Sequence, residues 1–253
     1  MSFFRDTFII FRRATLLSLQ NPAWVIIGLM QPILYLVLFG PLLLRMTSVP
    51  GFPPGNAWQV FVPGLLVQLG IFGGSFVGFA IINEWRSGVI DRMMVTPAHR
   101  VSLIAGRVLR DVMVLMIQAI VLVLAAMLFG LRVPFGALLL ALALVAMLGA
   151  SFSSLSYAAG LSMKSEDAFA PLINTFALPV LLLSGILLPM SMAPAWLRYV
   201  SDVNPFKHMV EALRAVFRGE IFTFIVPFGF GLSLALVLIS LWTGARVFRN
   251  QTR

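Results

Sequence analysis

An all-α, polytopic membrane fold is predicted, with six transmembrane helices, an N-terminal interfacial helix and a short external helix pair between the fifth and sixth spans. Three observations predict it. Of 253 residues, 60% are hydrophobic and only 11% charged, against roughly a quarter charged in an ordinary soluble domain. Apolar runs recur that reach the ~20 residues a helix needs to cross the hydrocarbon core. The charges gather between these runs rather than within them. A membrane β-barrel would instead show weakly alternating segments of about ten residues, and none is evident.

The elements follow in order. Residues 1–20 mix Arg5, Asp6, Arg12 and Arg13 with a row of Phe4, Phe8, Phe11, Thr15 and Leu19 at helical spacing. This predicts a helix lying in the membrane interface, apolar side down. Asn21 and Pro22 mark the start of the first span, 23–44, which Pro32 and Pro41 bend. Neighbouring groups must satisfy the carbonyls these prolines free. Residues 45–57, rich in Gly and Pro, form an external loop. The second span is 58–82, where Gly70, Gly73, Gly74 and Gly78 allow another helix to approach closely.

A polar island follows at 83–100, NEWRSGVIDRMMVTPAHR. Within it, 84–94 is predicted as one short helix, with Thr96-Pro97 as its stop. The third span is 102–131. Arg107 and Asp111 lie in its first turns, four residues apart, and are placed to pair. Residues 132–134 are a tight external turn and 135–163 the fourth span. Lys164, Glu166 and Asp167 make a short turn, and 168–188 is the fifth span. Residues 189–220 are too polar to cross. Two short helices, 193–202 and 205–218, each begin near a proline. The sixth span is 221–247. The chain is expected to form a single permease-type membrane unit over 1–253, without a cleavable signal, because the run 8–11 is too short and is stopped by Arg12 and Arg13.

Charge sets the orientation. Of the 18 basic residues, all but Arg45, Arg132, Arg198, Lys207, Arg214 and Arg218 fall on the side that holds the termini. Cytoplasmic loops carry the excess of Lys and Arg, so both termini and the island are expected in the cytoplasm, in a multi-pass plasma or inner membrane protein. The net charge of +9 is thereby explained without nucleic acid, for which a basic stripe interleaved with aromatics is missing.

Several chemistries are excluded. No cysteine is present, so there is no disulfide and no thiolate metal site. His99 and His208 fall on opposite predicted sides, which argues against zinc. Lys164 and Lys207 follow Met163 and Phe206, so no Gly-Lys-Ser/Thr phosphate loop exists and ATP is not held that way. No nucleophile has a base within reach, since no His lies in mid-span beside Ser151. The chain is not expected to be an enzyme. The span middles are nearly free of charge, unlike those of ion-coupled carriers. Gln68, Gln118, Asn174, Thr175 and Ser184 are the polar candidates there, either lining a pathway or joining helices. Such a lining suits an apolar or amphipathic substrate.

This arrangement resembles the permease subunits of type-2 ABC exporters over essentially the whole chain. Two motifs carry the resemblance. In the first, Glu84, Arg86, Gly88, Arg92, Thr96, Pro97 and Arg100 fit the family pattern, while Ser87-Gly88-Val89 departs from its usual Gly-Thr pair. In the second, Gly185, Pro189, Pro194, Trp196-Leu197, Pro205, Glu211, Arg214 and Gly219 match an external Pro-rich segment followed by Glu-Ala-Leu-Arg.

The resemblance implies separate cytoplasmic ABC ATPase subunits that bind the ATP and Mg, with no cofactor in this chain. It implies a second permease copy, as a homodimer or related heterodimer, among membrane lipids. The two copies are expected to meet at Gly-rich faces. The island residues Glu84, Arg86, Gly88, Asp91, Arg92, Thr96, Pro97 and Arg100 would couple to the ATPase. Gly185, Pro189, Pro194, Leu197, Pro205, Glu211 and Arg214 would form an external gate, stiffened by a Glu211–Arg214 pair one turn apart. The wording is most like the daunorubicin-resistance-type drug permeases, with export of an amphipathic drug or lipid-like substrate. A polysaccharide or lipid-linked glycan permease is the alternative, and an ion-coupled secondary transporter the more distant rival; the latter would need an inverted repeat.

Overall fold

The computed structural model of the chain describes residues 3–20, 23–95 and 100–251, and every helix and strand assignment among them is helical. Among the described residues, six helical stretches are long and apolar enough to cross a membrane, covering Val25–Met46, Ala57–Arg86, Val101–Leu128, Phe135–Met163, Glu166–Leu183 and Ile225–Val247. The fourth, α7 (Phe135–Met163), has the predicted bounds and is the hub. Against it pack α3 (Ala57–Ser75), α4 (Gly78–Arg86), α6 (Arg100–Leu128) and α11 (Ile225–Gln251). The helices α2 (Ala23–Met46) and α8 (Glu166–Leu183) pack less closely and expose most of their apolar surface.

Glycines decide how α3 and α4 meet α7. A Cβ added at Gly70 would lie 2.9 Å from the Leu148 Cβ, one at Gly74 2.7 Å from the Phe152 Cβ, and one at Gly78 2.7 Å from the Ser156 carbonyl. These positions recur every four residues and fall on one helix face. At Gly73 a Cβ would meet Leu115 of α6 at 2.3 Å. The close helix approach expected at these glycines is made by α6 and α7 of the same chain.

The N-terminal helix α1 (Phe3–Gln20) lies along α6. Ile10 and Asp6 are buried, while Phe4, Phe8 and Leu19 stay exposed on the opposite face. The Ser102 hydroxyl donates to the Phe3 carbonyl at 3.2 Å. Ile10 joins a second small core with Ile81, Ile90, Leu103, Ile104, Val108, Tyr157 and Leu161. Ile90 comes from α5 (Val89–Met94), so this cluster fixes α1 and α5 to the same end of the bundle.

At the other end, α9 (Ala195–Asp202) exposes Trp196, Tyr199 and Val200, with Val203 exposed just after it, but α10 (Pro205–Arg218) is embedded. Met209, Val210, Leu213, Val216 and Phe217 belong to the main core. The sequence reads 205–218 as external because of its charges. Its opposite face carries an apolar stripe that packs among α3, α7 and α11, so burial of that stripe seats the helix against this end of the bundle.

The turn after α7 is shorter than predicted. Lys164 takes a left-handed conformation (φ 53°) and Ser165 precedes α8, so Glu166 and Asp167 open that helix instead of forming the turn. Two carboxylates at a helix N-terminus suit its positive end.

Candidate functional site

The site begins with a break in the second span. Between α3 and α4 the ladder of backbone hydrogen bonds is interrupted at 76–78. The Ser156 hydroxyl of α7 fills the gap: it accepts from the Gly78 N–H at 2.8 Å and donates to the Ser75 carbonyl. A side chain inserted into the ladder is a recognised cause of a kink. Beyond it, α4 carries Asn83, Glu84, Trp85 and Arg86 as its last turn.

The predicted single helix over 84–94 is therefore two pieces. Gly88 adopts φ 67°, which non-glycine residues rarely enter. Its N–H donates to the Trp85 carbonyl at 3.0 Å, ending α4, and α5 starts afresh. Arg92 folds back to seal this corner, donating from Nε to the Gly88 carbonyl (3.2 Å) and from Nη2 to the Ser87 carbonyl (3.0 Å). Arg86 reaches Glu166 of α8 at 3.1 Å, with both side chains about half exposed. Lys164 sits over the Trp85 ring, 4.9 Å from its centroid.

Glu84 turns inward and pairs with Arg107 of α6. Arg107 also reaches Met93 Sδ at 3.5 Å and the Leu103 carbonyl at 3.4 Å. Next to it, Arg110 Nη1 lies 3.0 Å from Asp111 Oδ1, and the Tyr157 hydroxyl donates to Asp111 Oδ2 at 2.6 Å. The expected Arg107–Asp111 pair is corrected: each finds a different partner, because α4 and α7 bring Glu84 and Tyr157 closer. Thr96 and Pro97 lie outside the described residues, as do the side chains of Asp91 and Arg100. Among the described residues, no group of three His, Cys, Asp or Glu could hold a metal ion.

Glu84, Arg107, Arg110, Asp111 and Glu166 line the charged end of a cavity of about 1060 Å³, bounded mainly by α1, α2, α3, α4 and α6. Its walls are mostly apolar, with Leu69, Phe72, Phe76, Phe79, Val114 and Leu115. Gln68 and Gln118 both line it. Gln118 Nε2 donates to the Val25 carbonyl of α2 at 2.8 Å. Gln68 is buried, and among the described residues neither amide atom has a hydrogen-bond partner. The other three candidates lie elsewhere. Asn174 and Thr175 are exposed on α8, and Ser184 is buried, donating to the Leu181 carbonyl at 3.0 Å. Sequence reasoning missed Tyr157 and the bridging role of Ser156, whose signal was polar atoms set within an apolar span.

The candidate gate residues frame α10. Gly185 (φ 71°) turns the chain out of α8. Pro189 is buried, while Pro194 precedes α9, which carries Leu197. Pro205 takes the first position of α10, where its missing N–H costs nothing. Arg214 is buried and donates from Nε to the Val60 carbonyl (2.8 Å) and from Nη2 to the Gly185 carbonyl (2.7 Å). The expected Glu211–Arg214 pair is corrected: Arg214 points into the bundle, and Glu211 lies 3.8 Å from Lys207. Burial lowers Arg214 to about 10, so it stays charged at neutral pH. The hydrogen bond from Lys207 lowers Asp202, and that from Arg218 lowers Glu220.

Comparison with known proteins matches a family model described as ABC-2 type transporter over residues 5–218. The chain is 25% identical over 217 residues to ycf38 of Cyanophora paradoxa, which carries the name of a transport permease, covering 85% of this chain and 75% of that one. It is 25% identical over 195 residues to the daunorubicin resistance ABC transporter permease protein DrrB1 of Streptomyces coeruleorubidus, covering 76% and 69%. With YbhR of Escherichia coli K12, which carries the name of a multidrug ABC transporter permease, identity is 26% over 163 residues, covering 63% and 44%.

Proposed function

The chain belongs to the ABC-2 type transporter family and is a multi-pass membrane subunit of an ABC transporter, and from that premise we propose that it exports an amphipathic drug or lipid-like substrate, driven by ATP bound on separate subunits. The single observation that carries the substrate class is the cavity of about 1060 Å³ with apolar aromatic walls and a charged floor. Drug-sized ligands occupy clefts of roughly 300–1000 Å³ with few polar groups. Gln68 and Gln118 line this space, and Gln68 offers an unspent donor and acceptor. The relatives named for daunorubicin resistance and multidrug transport agree with that class.

In the proposed cycle the chain is one membrane unit over 1–253, with both termini cytoplasmic in the plasma or inner membrane. Cytoplasmic ATPase subunits bind the ATP and Mg, and this chain carries no cofactor. An ATPase groove holds the corner formed by α5, whose outer side presents Arg92 and Val95. Displacement passes through Glu84–Arg107 into α6 and through Arg86–Glu166 into α8. A second permease copy completes the pathway. Asn174 and Thr175, exposed in the fifth span, favour α8 as the covered face, since polar groups in lipid are costly.

The test is reconstitution of the chain with its co-purified ATPase in vesicles, following a fluorescent cationic amphipath. ATP-dependent movement that stops when the ATPase is omitted supports the reading. Movement driven by an ion gradient alone overturns it.

A further inference from the structure

A second cavity, of about 390 Å³, opens where α10 meets the loop 51–54 and the turn after α8. Phe52, Met190 and Ile225 supply apolar walls, and Arg214, Glu211 and Arg218 are its charged residues. Among the described residues, the ion pairs around it leave Arg214 as a buried cation without a carboxylate partner. Lys207 pairs with Asp202 and lies 3.8 Å from Glu211. Arg218 holds Glu220, Nη2 to Oε2 at 2.6 Å. Arg214 is only 5% exposed and is served by two carbonyls, with no carboxylate in ion-pair range among the described residues. Its Nη1 has no hydrogen-bond partner among the described residues, although the side chain lines the cavity.

A buried cation is costly unless paired. Carbonyl dipoles satisfy two of its donors but not its charge. With Nε and Nη2 spent on carbonyls, Nη1 remains to make a charge-assisted hydrogen bond to a phosphate or carboxylate oxygen. The apolar walls beside it are suited to what such a group is attached to. We infer that this cavity binds the acidic headgroup of an amphipath, a phosphate or carboxylate, with Arg214 Nη1 as the anchoring donor. The site lies apart from the large cavity and does not depend on the substrate proposed for it. Glu211, at the rim, opposes the bound anion, and Lys207 blunts that opposition.

The test uses the full chain in neutral detergent with two probes, inorganic phosphate and a short-chain phosphatidylglycerol, and reads thermal unfolding by Trp fluorescence. At least one probe is expected to raise the unfolding temperature of the wild type. Glu211→Gln should raise the apparent affinity by about threefold or more, because it removes a nearby like charge. Arg214→Lys, which keeps the charge but loses the planar fork, should lower it about tenfold. Response to both probes means that the anion alone suffices; response to the lipid alone means that the apolar walls are needed; either upholds the site. No shift with either probe, or an affinity unchanged in Glu211→Gln, overturns it. If Arg214→Lys fails to fold, Glu211→Gln decides alone.

Discussion

Replacing Glu84 by Gln removes the carboxylate from Arg107 while keeping the shape of the side chain. The structure sets the size of the effect. Arg107 is 7% exposed and Glu84 35%. Stripping one partner from a fully buried pair costs about 3–5 kcal/mol, whereas exposed pairs contribute at most about 1 kcal/mol. Among the described residues, Arg107 keeps two weak acceptors, Met93 Sδ at 3.5 Å and the Leu103 carbonyl at 3.4 Å. Because Glu84 is partly solvated, the expected loss for Glu84→Gln is about 2–3 kcal/mol. Arg107→Gln leaves its orphan, Glu84, within reach of water, and the expected loss is about 1–2 kcal/mol. The double variant should lose less than the two combined. Unfolding in mixed detergent measures all three, and ATPase and transport rates in vesicles are read alongside. Glu84→Gln should also lower substrate moved per ATP hydrolysed. Equal losses for the two single variants, or additivity within about 0.5 kcal/mol, would refute the argument.

Gly78→Leu should destabilise by about 3 kcal/mol or more, because its Cβ would meet the Ser156 carbonyl at 2.7 Å. Gly136→Ala, with nothing within 4 Å of the added Cβ, should be neutral or stabilise by up to about 1 kcal/mol, giving an internal control in the same unfolding assay. Gln68→Leu removes two unpartnered buried amide atoms, so stability should hold or rise while transport falls; unchanged transport would take Gln68 out of the pathway. Lys207 and Arg218 depress Asp202 and Glu220 below their ordinary values of 3.8 and 4.5. A depressed folded value means that the stability from these pairs is full above the unfolded value and is lost as pH falls below it. Hydrogen-exchange protection around 202–207 should therefore drop as pH falls below about 4, and Asp202→Asn should abolish that dependence.

Much of the fold is legible because the bilayer simplifies the code. A segment such as 135–163 must be helical and about that long, since its backbone has no water to bond with. The start of α10 is equally readable: Asn204 accepts from the Phe206 N–H at 3.0 Å and Pro205 follows it in the first helical position. Partner choice is less legible. Arg107 and Asp111 satisfy a local spacing rule, yet Glu84 lies nearer to one and Tyr157 nearer to the other, because distant helices decide what faces each side chain. The burial of α10 escaped for a related reason. A chain with Lys207, Glu211, Arg214 and Arg218 reads as solvated until one sees that carbonyls of α3 and of the turn after α8 receive Arg214. Gly88 was visible as a residue but not as a positive φ, so one predicted helix became a helix end and a short second helix.

The hydroxyl of Ser156 has a mechanical consequence. It bonds both sides of the break in the second span, the Gly78 N–H and the Ser75 carbonyl. Bending about that point keeps both bonds, since donor, acceptor and hydroxyl stay together. Sliding α4 along α7 by one residue, a rise of about 1.5 Å, strands two backbone groups at once where no water replaces them. The joint therefore behaves as a pivot and resists acting as a piston. In the proposed cycle, force arriving at α5 is turned into rotation before it reaches the middle of the membrane.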